Sequence, residues 1–151
     1  MFADFLRRLA APMPERLPEP DARLALAALL VRLARTDGTY VQVEKDRIDR
    51  VLAARHGLSP FEVTALRAEA EVLEAEAPDT VRFTRALKEA VPLEDRIGVI
   101  EAMWDVALAD GARDHDEDTA IRLVCNLLGI PDIESGLARQ RVEARQAGGR
   151  Q

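Results

Sequence analysis

Apolar residues recur along this chain at intervals of three and four, and prolines and glycines break the pattern into blocks. That period is helical, and no Val/Ile/Thr-rich segment alternates with polar residues, so helices and no sheet are expected. Phe2, Phe5, Leu6 and Leu9 form a short amphipathic stripe over residues 2–11, and Pro12, Pro14, Pro18 and Pro20 make a stiff connector after it. Asp21 is placed to cap a second helix running to Asp37. With Leu24, Leu26, Leu29, Leu30, Val31 and Leu33 that helix is apolar nearly all round, which predicts a central position.

Gly38 is suited to the left-handed turn that ends the second helix. A third helix follows with Ile48, Val51 and Leu52 inward and stops at Gly57. Ser59-Pro60-Phe61-Glu62 combines a capping box with proline at the first helical position, opening a fourth helix that uses Val63, Leu66, Ala70 and Leu73 and ends at Pro78. Asp79 starts a fifth, carrying Phe83, Leu87 and Val91 and closed by Pro92. The sixth is expected over Leu93 to Asp110 with Ile97, Ile100, Met103, Trp104 and Ala107 inward, and the seventh over Asp114 to Leu128. An eighth begins near Pro131 and frays from Gln146, leaving 147–151 as a disordered tail.

The pattern is also stated twice. Ala34-Arg35-Thr36-Asp37-Gly38 is followed by Glu44 and Ile48, and Ala107-Leu108-Ala109-Asp110-Gly111 is followed by Glu117 and Ile121. In both, an apolar helix ends in Asp-Gly, a Glu comes seven residues after the Asp, and an Ile four after that. Gly57-Leu58-Ser59-Pro60-Phe61-Glu62 is echoed by Gly129-Ile130-Pro131-Asp132-Ile133-Glu134, one residue having dropped out between. Such a repeat means two copies of one unit, here about 21–77 and 93–146, each burying its apolar face on the other. The expected fold is an all-α single-domain bundle of about eight helices in two pseudo-twofold-related halves. Residues 1–20 form an N-terminal helix and connector, 21–146 the helical domain.

Composition narrows the function classes. The chain has 151 residues, enough for one domain, and 48% of them are apolar. A net charge of −6 opposes a nucleic-acid surface, which needs concentrated basic residues, and suits a protein that attracts cations. Cys125 is the single cysteine and falls in the apolar spacing of Ile121, Val124 and Leu128, which predicts a packed rather than a reactive thiol. Residues 1–9 lack a leader pattern and no run is apolar enough to span a bilayer, so a cytoplasmic address is expected.

The candidate chemistry lies in the repeated acids. An Asp in the last turn of a helix opposes the helix dipole, while a Glu in the first turn of the next is favoured by it. Each corner brings such a pair together: Asp37 with Glu44, and Asp110 with Glu117. The second corner is denser, adding Asp114, Asp116 and Asp118 with His115. Crowded carboxylates repel one another unless a cation or backbone donors compensate, and hard oxygen ligands suit calcium or magnesium. The same residues also read as ordinary helix caps and stops, and both readings stand at this point. The spacing is not that of an EF-hand, since glycine follows the first Asp directly. Glu101 and Asp105 lie one turn apart, as a solvated charged face. No nucleophile elbow, phosphate-binding loop or Cys/His cluster is present, so no catalytic or organic-cofactor residues are expected and the chain reads as a non-enzyme.

The doubled Asp-Gly…Glu…Ile pattern in an all-helical chain resembles the tellurite-resistance protein B (TerB) family over roughly residues 21–140. The resemblance implies a compact helical bundle with pseudo-twofold halves and an acidic surface that takes divalent cations. It also implies a place in stress-response or phage-defence assemblies, often near membranes. A related domain precedes the J-domain of some membrane-anchored co-chaperones, so the fold also serves as a scaffold. The family's acidic positions fall on Asp37 and Glu44 in the first copy and on Asp110, Asp114 and Glu117 in the second. Many members carry an acid where this chain has Val41, which weakens the first site. The alternative is a metal-free scaffold whose Phe2, Phe5, Leu6 and Leu9 stripe docks on a protein partner or peripherally on a membrane, or folds back on the bundle. Neither the partner nor the oligomeric state is legible in the sequence.

Overall fold

Leu24 through Val31 form an unbroken run of buried residues, which requires neighbours on every side of the helix that carries them. A computed structural model of the chain describes residues 19–36, 40–76, 79–108 and 115–149. In it α1 (Glu19–Ala34) is enclosed by α2 (Gln42–His56), α3 (Pro60–Glu76), α4 (Thr80–Ala90), α5 (Arg96–Ala107) and α6 (His115–Leu128). A 3₁₀ turn, Leu93–Asp95, leads into α5, and α7 (Asp132–Gly149) closes the chain along α5. The molecule is an all-α bundle with seven α-helices and no strand among the described residues. The helix expected at 2–11 lies outside the described residues.

Helix boundaries follow their local chemistry. Asp21, expected as the cap, lies inside α1, whose described part begins at Glu19 and includes Pro20. The helix ends at Ala34, short of Asp37. The Thr36 hydroxyl bonds back to the Arg32 carbonyl at 3.0 Å and its N–H to that of Leu33 at 3.2 Å. α5 likewise starts later and stops earlier than expected. Residues 93–95 tighten into the 3₁₀ turn after Pro92, and the α-helix ends at Ala107 with Leu108 as its cap. α6 begins at His115, and α7 extends to Gly149, past Gln146 where fraying was expected.

Two starts are built as the sequence predicts. Ser59 N–H donates to the Glu62 carboxylate at 3.0 Å while the Ser59 hydroxyl accepts from Glu62 N–H at 3.2 Å, the reciprocal box that opens α3. Asp79 accepts from Arg82 N–H at 3.1 Å to open α4.

The packing repeats with the sequence. α1, α2 and α3 pack on one another as α5, α6 and α7 do, and the halves meet through α1 on α5, α1 on α6 and α2 on α5. The middle helices of both copies end alike. Gly57 and Gly129 take φ of 65° and 76°, and the next residue bonds back five positions, Leu58 to Ala53 at 3.1 Å and Ile130 to Cys125 at 2.8 Å. The bridge between first and third helices recurs with its charges exchanged. Arg32 of α1 and Arg35 just beyond it meet Glu74 of α3, whereas Asp105 of α5 meets Arg145 and Gln146 of α7. α4, packed on α1 and α6, has no counterpart among the described residues.

Candidate functional site

The first corner is built around Tyr40 and Glu44. α2 starts after Val41, whose side chain has no acceptor, so Glu44 in the first turn reaches back instead and its Oε1 accepts from Val41 N–H at 3.3 Å. Glu44 is only 6% exposed. Cations surround the adjoining ring: the Arg35 guanidinium and the Lys45 ammonium each lie 4.9 Å from the Tyr40 centroid. Arg67 stands behind, bonded to Asp49 at 2.6 Å and to Glu71 at 3.1 Å. Burial, and then the nearby Glu71 charge, push the Tyr40 phenol up to about 12. The carboxylates of this corner are already engaged, Glu71 and Glu74 by Arg35, and Asp49 and Glu71 by Arg67.

The second corner differs. Glu117 occupies the place of Glu44 and is 5% exposed, while Asp116 beside it is exposed and Asp118 half-buried. All three stand in the first turn of α6, where the dipole favours carboxylates. Of the six expected ligands, the structure describes Glu44, Asp116 and Glu117, with Glu44 at the first corner and the other two together at the second. Asp37, Asp110 and Asp114 lie outside the described residues. Among the described residues no group of three or more His, Cys, Asp or Glu is disposed to hold a metal ion.

Other candidates resolve into structure. Glu101 and Asp105 are not a solvated face: both are half-buried under α7, with Glu101 taking Arg141 at 3.3 Å and Asp105 taking Arg145 at 3.6 Å. Their spacing gave no sign of this, because the pairing arginines come some forty residues later. Cys125 is buried, as its spacing predicts, and burial pushes its thiol up, with the Ser135 hydroxyl opposing. Ser135 also accepts from Trp104 Nε1 at 3.1 Å. His56 ends α2 and there lines a cleft of about 680 Å³ with Arg23, Leu26 and Gly98. The sequence gave no sign of that cleft.

Two three-helix units packed about a pseudo-twofold, each with a buried glutamate at the same place of its middle helix, define a repeat-built all-α domain. The chain belongs to the TerB family: the family model for tellurite resistance protein TerB matches residues 23–140, which is α1 to the middle of α7. No curated protein and no solved structure matches it. Among the described residues no helix is long and apolar enough to cross a membrane.

Proposed function

We propose that this TerB-family chain is a non-catalytic protein whose second Asp-Gly corner binds a divalent cation, calcium or magnesium. Asp110, Asp114, Asp116 and Glu117 are the ligands. The observation that carries the reading is the contrast between the corners. The repeated glutamate is buried in both, but at the first corner the neighbouring acids Asp49, Glu71 and Glu74 are taken up by Arg35 and Arg67, whereas the second is loaded with acids in sequence and in the first turn of α6. Oxygen donors alone fit a hard cation. Binding there would clamp the end of α5 to the start of α6, and so would tie the two core helices of the second copy together. In this reading the protein works in the cytoplasm within a stress-response or defence assembly, the cation setting the shape of one corner for a protein partner.

Calorimetric titration of chelator-stripped protein with calcium and then magnesium tests it, alongside Asp110→Asn and Glu117→Gln. Saturable heat in the parent, lost in both variants, is the expected result. Absence of heat, with an unmoved melting temperature at millimolar metal, would make these acids helix caps.

A second reading is favoured by the Glu44–Val41 hydrogen bond, which uses the repeated glutamate as a cap. If Glu117 does only the same for α6, the protein is a metal-free scaffold that docks through the stripe of Phe2, Phe5, Leu6 and Leu9. Removing residues 1–15 would then abolish partner or membrane binding, and the corner substitutions would leave it intact.

A further inference from the structure

The packing is symmetric except for α4, and the exception points to where the N-terminal residues belong. α4 immediately precedes the second copy and packs on α1 and α6. Exchanging the copies turns α1 and α6 into α5 and α2, so a helix preceding the first copy would pack on α5 and α2. The 680 Å³ cleft opens at that place, walled by Ile97 and Gly98 of α5, Arg55 and His56 at the end of α2, and Arg23 and Leu26 of α1, with Leu87 and Ala90 at the end of α4 also lining it.

Arg96 supplies the second observation. Its guanidinium donates to the carbonyls of Lys88 at 2.8 Å, Val91 at 3.0 Å and Leu128 at 3.3 Å, so one side chain ties down the C-terminal carbonyls of both α4 and α6. Arg23 precedes Asp37 by as many residues as Arg96 precedes Asp110, and it stands in the wall of the cleft beside His56, the last residue of α2.

The segment itself carries a matching face. Phe83 and Leu87, the buried pair of α4, are four apart, as are Phe5 and Leu9. Arg7 and Arg8 complement Glu94 and Asp95, two exposed acids that also line the cleft. The connector from Pro12 to Pro18 leads directly to α1, whose first turns form one wall.

We propose that residues 2–11 of this chain seat in the cleft between α2 and α5 as the first-copy counterpart of α4, with Phe5 and Leu9 inward and Arg23 on their C-terminal carbonyls. The repeat is then a four-helix unit used twice, and the stripe is occupied in cis. This assignment is independent of whether the acidic corner binds metal, and it replaces docking of the stripe on a separate partner or membrane.

Paramagnetic relaxation on the full chain tests it. A nitroxide is placed on Asp4→Cys in a Cys125→Ala background whose fold is checked by circular dichroism. The expected result is broadening strongest at the amides of 55–57 and 94–98 and much weaker at Val72, toward the far end of α3. Phe5→Asp with Leu9→Asp should remove that broadening, and Arg23→Gln should weaken it, while helix content is retained. A mixture of nitroxide-bearing unlabelled protein with ¹⁵N protein lacking the nitroxide should show none. Broadening strongest elsewhere, no broadening at all, or broadening in the mixture would overturn the proposal, the last by making the occupant a second copy.

Discussion

Trp104 and Ser135 show what one residue pair does between α5 and α7. The indole is 5% exposed and its N–H has the Ser135 hydroxyl at 3.1 Å. Ser135→Ala removes that acceptor and leaves a buried donor, which costs about 1–3 kcal/mol. Trp104→Phe loses ring volume but abolishes the stranded donor, so the double variant should cost less than the sum, as a urea-denaturation double-mutant cycle will measure. Tyr40 sets a pH dependence. Its folded pKa, about 12, lies above the ordinary 10.0, so its contribution to stability is whole below pH 10 and is lost as pH rises through the folded value. The phenolate absorbance of the folded protein should titrate late, and Tyr40→Phe should flatten the alkaline loss of stability. Nothing in the sequence pattern singled out Tyr40: Arg35 and Lys45 are near it in the chain, but Arg67 and Glu71 reach it from α3, and periodicity does not report such contacts.

At the scale of elements, starts and stops decide the fold economically, and these were the most legible parts of the chain. The α3 box needs only Ser59, Pro60 and Glu62. Ser59→Ala should cost about 1 kcal/mol. Hydrogen bonds from the Ser59 N–H and hydroxyl hold the Glu62 carboxyl below its ordinary value. Its contribution is therefore present above the usual glutamate range and lost as pH falls through the depressed folded value. An NMR titration of the Glu62 carboxyl in parent and Ser59→Ala checks the sign: the variant should titrate at higher pH. Gly57 and Gly129 were equally legible as stops, and their positive φ means that alanine at either costs on the order of 1 kcal/mol, measurable as a lower melting temperature. The ends of α1 and α5 were less so. Both were expected to run to their Asp-Gly pairs and stop earlier, because helical period says where a face is buried and not where the last hydrogen bond forms.

For the whole molecule, the repeat explains both what could be foreseen and what could not. Asp37/Asp110 and Glu44/Glu117 announced two like halves, and the core positions Leu29, Leu30, Ile100 and Met103 are buried as their spacing requires. The differences between halves were illegible, since they arise from partners distant in sequence: Arg32 facing Glu74 in one copy, Asp105 facing Arg145 in the other. The halves are nonetheless interdependent. Leu24 to Val31 of α1 are buried on every side only because α4, α5 and α6 cover what α2 and α3 leave open. Burying one leucine contributes about 1.5–3 kcal/mol, so exposing several of Leu24, Leu26, Leu29, Leu30 and Leu33 exceeds the stability of a domain of this size. Two results follow from that arithmetic. Leu30→Ala should cost about 2–5 kcal/mol without splitting the unfolding transition, because both halves lose the same packing together. A chain ending at residue 77 should show little helix and no dispersed amide spectrum. Were that half-chain to fold, the copies would be separate units joined end to end, and the crossing of α1 with α6 and of α2 with α5 would be a consequence of folding rather than its cause.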